Sequence, residues 1–195
     1  HLKSFNIGFS EVNEFKYSSE MARAFDLDHV NVETSVGDIA ARFERVVEAM
    51  DEPIADAACF PLHILCDELA KSVTVVLSGE GADEMLAGYP QYLRGVEGSP
   101  SPDHTHFSTF LRNSSYFTDE KPMQRSVPSS RLLRHASYFL ERPLLDGMLA
   151  YDLKTWLPEN LLMKADKILM SHSLEGRFPF LSKGIAEFLM SLPPH

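Results

Sequence analysis

The residues best suited to chemistry lie around position 80, where an apolar segment, Val75-Val76-Leu77, is followed by Ser78-Gly79-Glu80-Gly81-Ala82-Asp83-Glu84. Glycines in such a turn let the backbone approach a ligand closely, because glycine has no Cβ and tolerates positive φ. A helix that begins near Ala82 would direct its first amide groups to the same space and favour an anion there. The carboxylates would oppose a phosphate unless a cation is bound with it. The segment therefore predicts either an anion site that needs a cation, or a tight turn whose solvated acids cap a helix.

Three predicted strands would position this turn. Phe5, Ile7 and Phe9 alternate with smaller or polar residues, and further strands are predicted at residues 30–32 and 73–77. Because helices separate these strands, the pattern predicts parallel βαβ units, whose ligands lie at the carboxyl ends of the strands. We therefore expect Gly8, near the end of the first strand, to share one site with the turn at residues 78–79. A glycine within a strand indicates close approach of another group, or a bulge.

The intervening helices have recognisable ends. A helical pattern covers residues 17–25, and Ser35 with Asp38 predicts an N-terminal cap for the next helix. That helix is expected to end at Met50-Asp51-Glu52-Pro53, because proline disfavours the helical conformation in the residue before it. Residues 54–60 are small or apolar apart from Asp56, so they predict either a cavity wall or core packing, with Asp56 as a solvated turn acid. A further helix is predicted across residues 62–69.

The second half of the chain begins with an irregular connection. Glycine, proline and serine are frequent over residues 95–130, with one short helical pattern near 107–111. His104 and His106 lie in this connection as a metal pair or simply as part of a polar loop. Helical patterns follow at residues 131–140, 144–156 and 160–170.

Two polar clusters interrupt the apolar pattern of the last third. One is Lys164-Ala165-Asp166-Lys167, and the other contains Glu175 and Arg177, which are close enough in sequence to join one network. Burying such groups is costly unless they are paired. The second cluster is therefore interpreted either as a structural ion pair at a helix end or as part of a catalytic site.

Composition limits the classes of function. The 195 residues suffice for one domain or slightly more, 44% are hydrophobic, and the formal charge of −10 argues against a nucleic-acid partner. Neither a signal-peptide pattern nor an apolar run long enough to span a membrane is found. Cys59 and Cys66 are expected to be reduced core residues, which predicts a cytoplasmic protein. The chain begins abruptly in a strand pattern and ends at Leu192-Pro193-Pro194-His195, which predicts a fragment of a longer protein.

Several ordered motifs match one family. The segment at residues 78–84 followed by Gly88-Tyr89-Pro90 resembles the synthetase domain of glutamine-hydrolysing asparagine synthetases of the B type. So do residues 161–167 continuing into Ser173-Leu174-Glu175-Gly176-Arg177-Phe178-Pro179-Phe180-Leu181, residues 5–9 and the turn at 51–53. The resemblance implies an α/β, ATP-pyrophosphatase fold (adenine nucleotide alpha hydrolase-like, with a Rossmann-like parallel sheet). Residues 1–94 would form a partial α/β layer, 95–130 the irregular connection and 131–195 a helical subdomain.

The resemblance also implies a reaction and its residues. ATP, with Mg²⁺, would activate aspartate to β-aspartyl-AMP. Ammonia from an N-terminal glutaminase domain, which is missing here, would then displace AMP. The resemblance also implies a possible homodimer of the full-length protein. The residues carried over are Ile7 and Gly8 for adenosine, Ser78 and Gly79 for the nucleotide, Glu80 as the catalytic carboxylate and Asp83 for Mg²⁺. Supporting residues are Glu84, Tyr89, Asp166, Lys167, Glu175 and Arg177.

The chain departs from the family pattern in several places. The pyrophosphate-binding Ser-Gly-Gly-x-Asp-Ser segment and a lysine-bearing loop expected beyond His195 are absent, which predicts that the chain is inactive alone. Lys167 replaces the usual arginine, Ala87 the usual glycine and Ser182 the common aspartate. Two alternatives remain: a related amide-forming enzyme, such as a β-lactam synthetase or a peptide or polysaccharide amidotransferase, or a catalytically silent nucleotide-binding domain. Glu80 favours asparagine synthetases, because β-lactam synthetases carry a tyrosine there.

Overall fold

The computed structural model describes residues 2–54, 56–97, 137–139 and 142–193. Contacts group the chain into two compact units: unit 1 contains residues 1–78 and 160–177, and unit 2 contains residues 79–159 and 178–195. The predicted helical piece at 107–111, the pair His104 and His106, and most of the predicted helix at 131–140 lie outside the described residues. The three-part division in sequence order stays a prediction.

Helices dominate both halves of the chain. In order, the first half contains β1 (Lys3–Phe9), α1 (Phe15–Ala24), β2 (Asp28–Thr34), α2 (Val36–Met50), α3 (Cys59–Leu69), β3 (Val75–Leu77), α4 (Ala82–Leu86) and α5 (Pro90–Glu97). The second half contains α6 (Leu144–Lys154), a π-helical segment (Leu157–Leu162), α7 (Met163–Ser171), β4 (Glu175–Arg177), a 3₁₀ turn (Pro179–Leu181) and α8 (Lys183–Met190). Helix α5 thus continues to Glu97, two residues beyond the predicted start of the irregular connection at Gly95.

The strands form two parallel pairs. Strands β1 and β2 pair from Lys3 with Asp28 to Phe9 with Thr34. Strand β3 pairs with β4, in the register of Val75 with Glu175 and Leu77 with Arg177. The predicted parallel βαβ unit is confirmed for β1 and β2, whereas β3 pairs, within the described residues, with a strand that the sequence did not predict. Strand β4 has three residues, Glu-Gly-Arg, which show no apolar alternation.

Local sequence accounts for the ends of helix α2. The Ser35 side chain accepts a hydrogen bond from the Asp38 amide while the Asp38 carboxylate accepts one from the Ser35 amide, so the predicted cap is confirmed. The helix ends at Met50, and the next residue, Asp51, has a φ of 57°. This left-handed residue ends the helix two positions before Pro53, so the predicted end is right although the backbone turns earlier than the proline requires.

Each unit has its own apolar core. In unit 1, α3 packs against α2 and α7. Cys59 and Cys66 are buried there as free thiols, as predicted, and burial raises the pKa of Cys66 to about 12. In unit 2, the buried residues Tyr92, Met148 and Leu149 form the centre of a cluster between α5 and α6. Within the described residues, no helix has the length and apolar composition needed to cross a membrane.

Candidate active site

The residues implied by the family resemblance fall into both units. Unit 1 contains Ile7, Gly8, Ser78, Asp166, Lys167, Glu175 and Arg177, and unit 2 contains Gly79, Glu80, Asp83, Glu84 and Tyr89. The role of each of these residues stays a prediction.

Gly8 lies at the end of β1 and is fully buried, next to the partly buried Ile7. A Cβ added at Gly8 would collide with the side chain of Asn13 and approach the Val12 carbonyl oxygen to 3.3 Å. The Asn13 side-chain amide donates to the carbonyl oxygens of Phe9, at 2.8 Å, and Ser10, at 3.0 Å. The presence of glycine in this strand predicted that another group approaches the backbone closely, and that group is Asn13 of the loop that follows the strand.

The end of β3 is anchored to β4. The Ser78 amide donates to the Arg177 carbonyl oxygen at 2.9 Å. Glu175 and Arg177 form an ion pair on β4, with 52% and 60% of their side chains exposed. Because they are two residues apart on a strand, they lie on the same face. Of the two interpretations of this cluster, the structure shows the ion pair, although it lies on a strand and is exposed to solvent rather than at a helix end.

The turn after β3 leads directly into α4, which begins at Ala82 as predicted. Gly81 has a φ of 93°, and a Cβ there would collide with the side chain of Leu181. The exposed Asp83 carboxylate lies against Gly88, where any Cβ would overlap it. These contacts explain why glycine is needed at both positions in unit 2.

Three carboxylates surround Tyr89 in unit 2. The Tyr89 hydroxyl donates to Glu84 Oε1 at 2.6 Å, while Glu84 is fully buried and its Oε2 has no hydrogen-bond partner in the described structure. Burial raises the pKa of Tyr89, and the hydrogen bond to Glu84 and the negative charges of Glu84, Asp83 and Glu80 raise it further. The site thus concentrates negative charge, which is chemically suited to a cation.

A second charged group in unit 1 joins the α2–α3 connection to α7. The Asp56 carboxylate accepts hydrogen bonds from Lys164 Nζ at 2.8 Å, Asn160 Nδ2 at 3.0 Å and the Ala58 amide at 2.9 Å. Only 7% of the Lys164 side chain and 14% of the Asp56 side chain are exposed. Burial opposes ionisation of Asp56, but the hydrogen bonds and the Lys164 charge outweigh it and lower the pKa of Asp56. The interpretation of Asp56 as a solvated turn acid is therefore wrong.

Lys167, one helical turn from Lys164, reaches the same connection from its exposed side. Its Nζ lies 2.6 Å from Asp51 Oδ2, and this hydrogen bond and the Asp51 charge raise the pKa of Lys167. Asp166, between them in sequence, is exposed. The sequence shows the unusual lysine cluster and the isolated Asp56, but its pattern did not predict that the lysines pair with aspartates of this connection.

The α2–α3 connection also lines a cavity of about 460 Å³ in unit 1. The described residues of the 54–60 segment therefore fit both predictions: they line a cavity wall, and one of them, Cys59, also belongs to the core. Both Asp51 and Asp56 contribute to the lining, together with apolar side chains of α2 and α3 that include Phe43, Val46 and Phe60. The two aspartates and their lysines therefore lie beside a largely apolar cavity.

Comparisons with known proteins agree with the motif resemblance. The family model described as asparagine synthase matches residues 1–195. The chain is 30% identical to asparagine synthetase [glutamine-hydrolyzing] 1 of Bacillus subtilis, over 98% of this chain and 37% of that protein. It is 32% identical to a putative asparagine synthetase [glutamine-hydrolyzing] of Mycobacterium bovis, over 95% of this chain and 34% of that protein. The chain spans about a third of the length of these curated relatives.

Proposed function

Because the chain belongs to the asparagine synthase family, we propose that it is part of an ATP-dependent ligase that converts aspartate to asparagine. The match of the family model to the whole chain carries this proposal. Aspartate would react with ATP to give β-aspartyl-AMP and pyrophosphate, and ammonia would then displace AMP. The ammonia would be released from glutamine by a glutaminase domain in the full-length protein. The fold proposed for the chain is a partial ATP-pyrophosphatase layer with a helical subdomain.

The carboxylates around Tyr89 support the division of roles. Glu80 is proposed as the catalytic group, because ammonia must lose a proton as it attacks the adenylate and a nearby carboxylate can accept it. Asp83 is proposed to hold Mg²⁺: it is exposed, and Mg²⁺ on ATP takes one or two carboxylates together with phosphates and water. Glu84 does not fit a metal, since it is fully buried and hydrogen-bonded to Tyr89. Glu84 is therefore proposed to position Tyr89 beside the site.

A bound Mg²⁺ would supply positive charge where the phosphate oxygens gain negative charge during adenylation. The backbone of this chain would bind the nucleotide. Ile7 and Gly8 would contact the adenosine, and Ser78 and Gly79 would also hold the nucleotide. The turn at Gly79 leaves room for this, because a Cβ placed there would meet no atom within 4 Å. Lys167 is proposed as a supporting cation on the exposed side of α7.

Uncovered apolar surface supports the proposal that the chain needs the rest of the protein. Parallel sheets are normally covered on both faces, yet Val75 and Leu77 of β3 are 52% and 73% exposed. We therefore expect no aspartate-dependent exchange between ATP and pyrophosphate in the isolated chain. Clear exchange by the 195-residue chain would refute this part of the proposal.

The function is tested in the full-length protein with Glu80→Gln, which keeps the shape of the side chain and removes its charge. Aspartate, ATP and ammonia are supplied, and asparagine, AMP and pyrophosphate are measured. We expect asparagine formation to fall by about 10²-fold or more, the range typical for loss of an acid–base group. Glu20→Gln, on the exposed surface of α1, is the matched control and is expected to retain full activity.

Three results would contradict the assignment. Near-normal asparagine formation by Glu80→Gln would exclude Glu80 as the catalytic carboxylate. Failure of the unmodified full-length protein to adenylate aspartate, while it adenylates another acid, would favour a related amide-forming synthetase. Failure to adenylate any acid would favour a catalytically silent nucleotide-binding domain.

A further inference from the structure

His63, Asp67 and His172 form a cluster in unit 1 that the proposed chemistry does not use. His63 and Asp67 lie four residues apart on α3 and so share one face of the helix, and His172 directly follows α7. One ligand atom from each residue lies within 4.8 Å of the others. Two imidazoles and a carboxylate are a donor set that binds Zn²⁺ and similar transition metals in proteins.

His63 presents a buried nitrogen without a hydrogen bond. The residue is 6% exposed, and its Nδ1 has no partner in the described structure. Leaving a buried polar atom unpaired costs free energy, so such an atom calls for an explanation such as an ion. The ring contacts that of His172 edge to face, with centroids 4.4 Å apart. Burial and the neighbouring His172 lower the pKa of His63, which favours the neutral imidazole that binds metals.

His172 is held in the orientation that metal-bound histidines adopt. Its Nδ1 lies 2.9 Å from the Ile168 carbonyl oxygen, which can only accept a hydrogen bond, and 3.0 Å from the Ser171 hydroxyl, which itself donates to the same carbonyl oxygen. This arrangement favours a proton on Nδ1. In the neutral ring, Nε2 then carries a lone pair and lies 3.3 Å from Asp67 Oδ1. Two acceptors face each other at this distance unless the ring gains a second proton or a cation binds both. A backbone carbonyl that accepts a hydrogen bond from the opposite ring nitrogen is the usual support of a histidine ligand.

Asp67 is oriented by its other oxygen. Arg42 donates to Oδ2 from Nε at 3.2 Å and from Nη2 at 3.1 Å, which leaves Oδ1 directed to His172. The charged groups acting on His63 are His172, Asp67, Arg42 and Arg45. The positive charges of the two arginines make the site less negative and so less favourable for a cation. The two hydrogen bonds from Arg42, however, fix the carboxylate in place.

We propose that His63, Asp67 and His172 bind one Zn²⁺ ion, which joins α3 to the end of α7. Zinc–ligand bonds of about 2.0–2.2 Å in a tetrahedron place ligand atoms roughly 3.3 Å apart. The distance between His172 and Asp67 already has this value, and the ligand atom of His63, which lies within 4.8 Å of both, would move closer on binding. Three protein ligands leave the fourth position to water. This site is independent of the proposed nucleotide chemistry and needs only groups of unit 1.

The test is a titration of the metal-stripped protein with Zn²⁺ and with Co²⁺, whose visible absorption reports its coordination. We expect one equivalent to bind, and His63→Gln, Asp67→Asn and His172→Gln each to weaken the affinity by about tenfold or more. His29→Gln is the matched control, because His29 lies on β2 and bonds to Ser4 and Asn31 instead. It is expected to keep the affinity of the unmodified protein.

A second measurement on the unmodified protein does not depend on the variants folding. In the full-length protein, proton–nitrogen spectra of the histidine rings should show Zn²⁺-dependent changes at His63 and His172, and melting experiments should show Zn²⁺ raising the unfolding temperature. Absence of saturable Zn²⁺ and Co²⁺ binding below about 100 μM would overturn the proposal, as would equal binding by the three variants. In the first case the cluster is only the contact between Asp67 and His172 that the structure already contains.

Discussion

Replacing Lys164 by methionine should destabilise unit 1 strongly, because it leaves Asp56 ionised in a nearly buried position. Methionine keeps most of the apolar length of lysine and removes only the ammonium group. In the intact structure this group lies 2.8 Å from Asp56 Oδ2, and both side chains are almost inaccessible to water. The substitution therefore isolates the charge interaction from the packing of α7.

The expected magnitude follows from what remains around Asp56. Removing one member of a buried ion pair costs about 3–5 kcal/mol. Asp56 keeps two neutral donors, Asn160 Nδ2 and the Ala58 amide, so the lower end applies and we expect a loss of about 3 kcal/mol. Urea unfolding at neutral pH, followed by circular dichroism, measures this loss as a lower midpoint with an unchanged slope.

The pH dependence gives an independent check of the same pair. The pKa of Asp56 is lower in the folded protein than in the unfolded chain, so the stabilisation is present above the unfolded value and is lost as the pH falls through the folded value. Lys164→Met removes a cause of the lowering. The difference in unfolding free energy between the two proteins should therefore be largest at neutral pH and shrink in acid.

Lys167→Met provides the matched control on the same helix. Lys167 also bonds to an aspartate of the α2–α3 connection, but its side chain is 35% exposed and that of Asp51 is 66% exposed. Water screens this pair, so its loss should have a much smaller effect. Equal effects of the two substitutions, or an effect of Lys164→Met below about 1 kcal/mol, would refute the argument from burial.

Two further predictions concern unit 2. Ala87→Gly should raise stability by about 0.5–1 kcal/mol in thermal or urea unfolding. Ala87 follows the last residue of α4 at a φ of 56°, which costs an L-residue about 1–2 kcal/mol, and the loss of the methyl packing offsets part of the gain from relieving this strain. Lower stability of the variant would show that the methyl packing outweighs the strain. Burial and the charge of Glu84 raise the pKa of Asp152 to about 6, above its unfolded value, so wild-type stability should fall as the pH rises between about 4 and 6. Asp152→Asn should flatten this pH dependence and increase stability at pH 8 by up to about 3 kcal/mol. An unchanged pH dependence in the variant would exclude Asp152 as its source.

The sequence by itself determined the features that depend on neighbouring residues. The Ser35–Asp38 cap, the start of α4 at Ala82 and the alternation that marks β1 were all predicted correctly. Each is fixed by hydrogen bonds or by side-chain direction within a few positions of the chain. The order of the motifs also sufficed to indicate the family, since a set of short ordered blocks is far more specific than any single one.

The tertiary structure alone decided which distant groups meet. Asp56 and Lys164 are 108 residues apart, and the pairing of β3 with β4 joins segments about as far apart. His63 and Asp67 looked like ordinary positions of an apolar helix until the end of α7 brought His172 beside them. Burial has the same origin: the charge of Glu175 and Arg177 could be recognised in the sequence, but their exposure depends on which surfaces cover β4. Pairing and burial arise from packing between elements, which residue spacing along one chain does not encode.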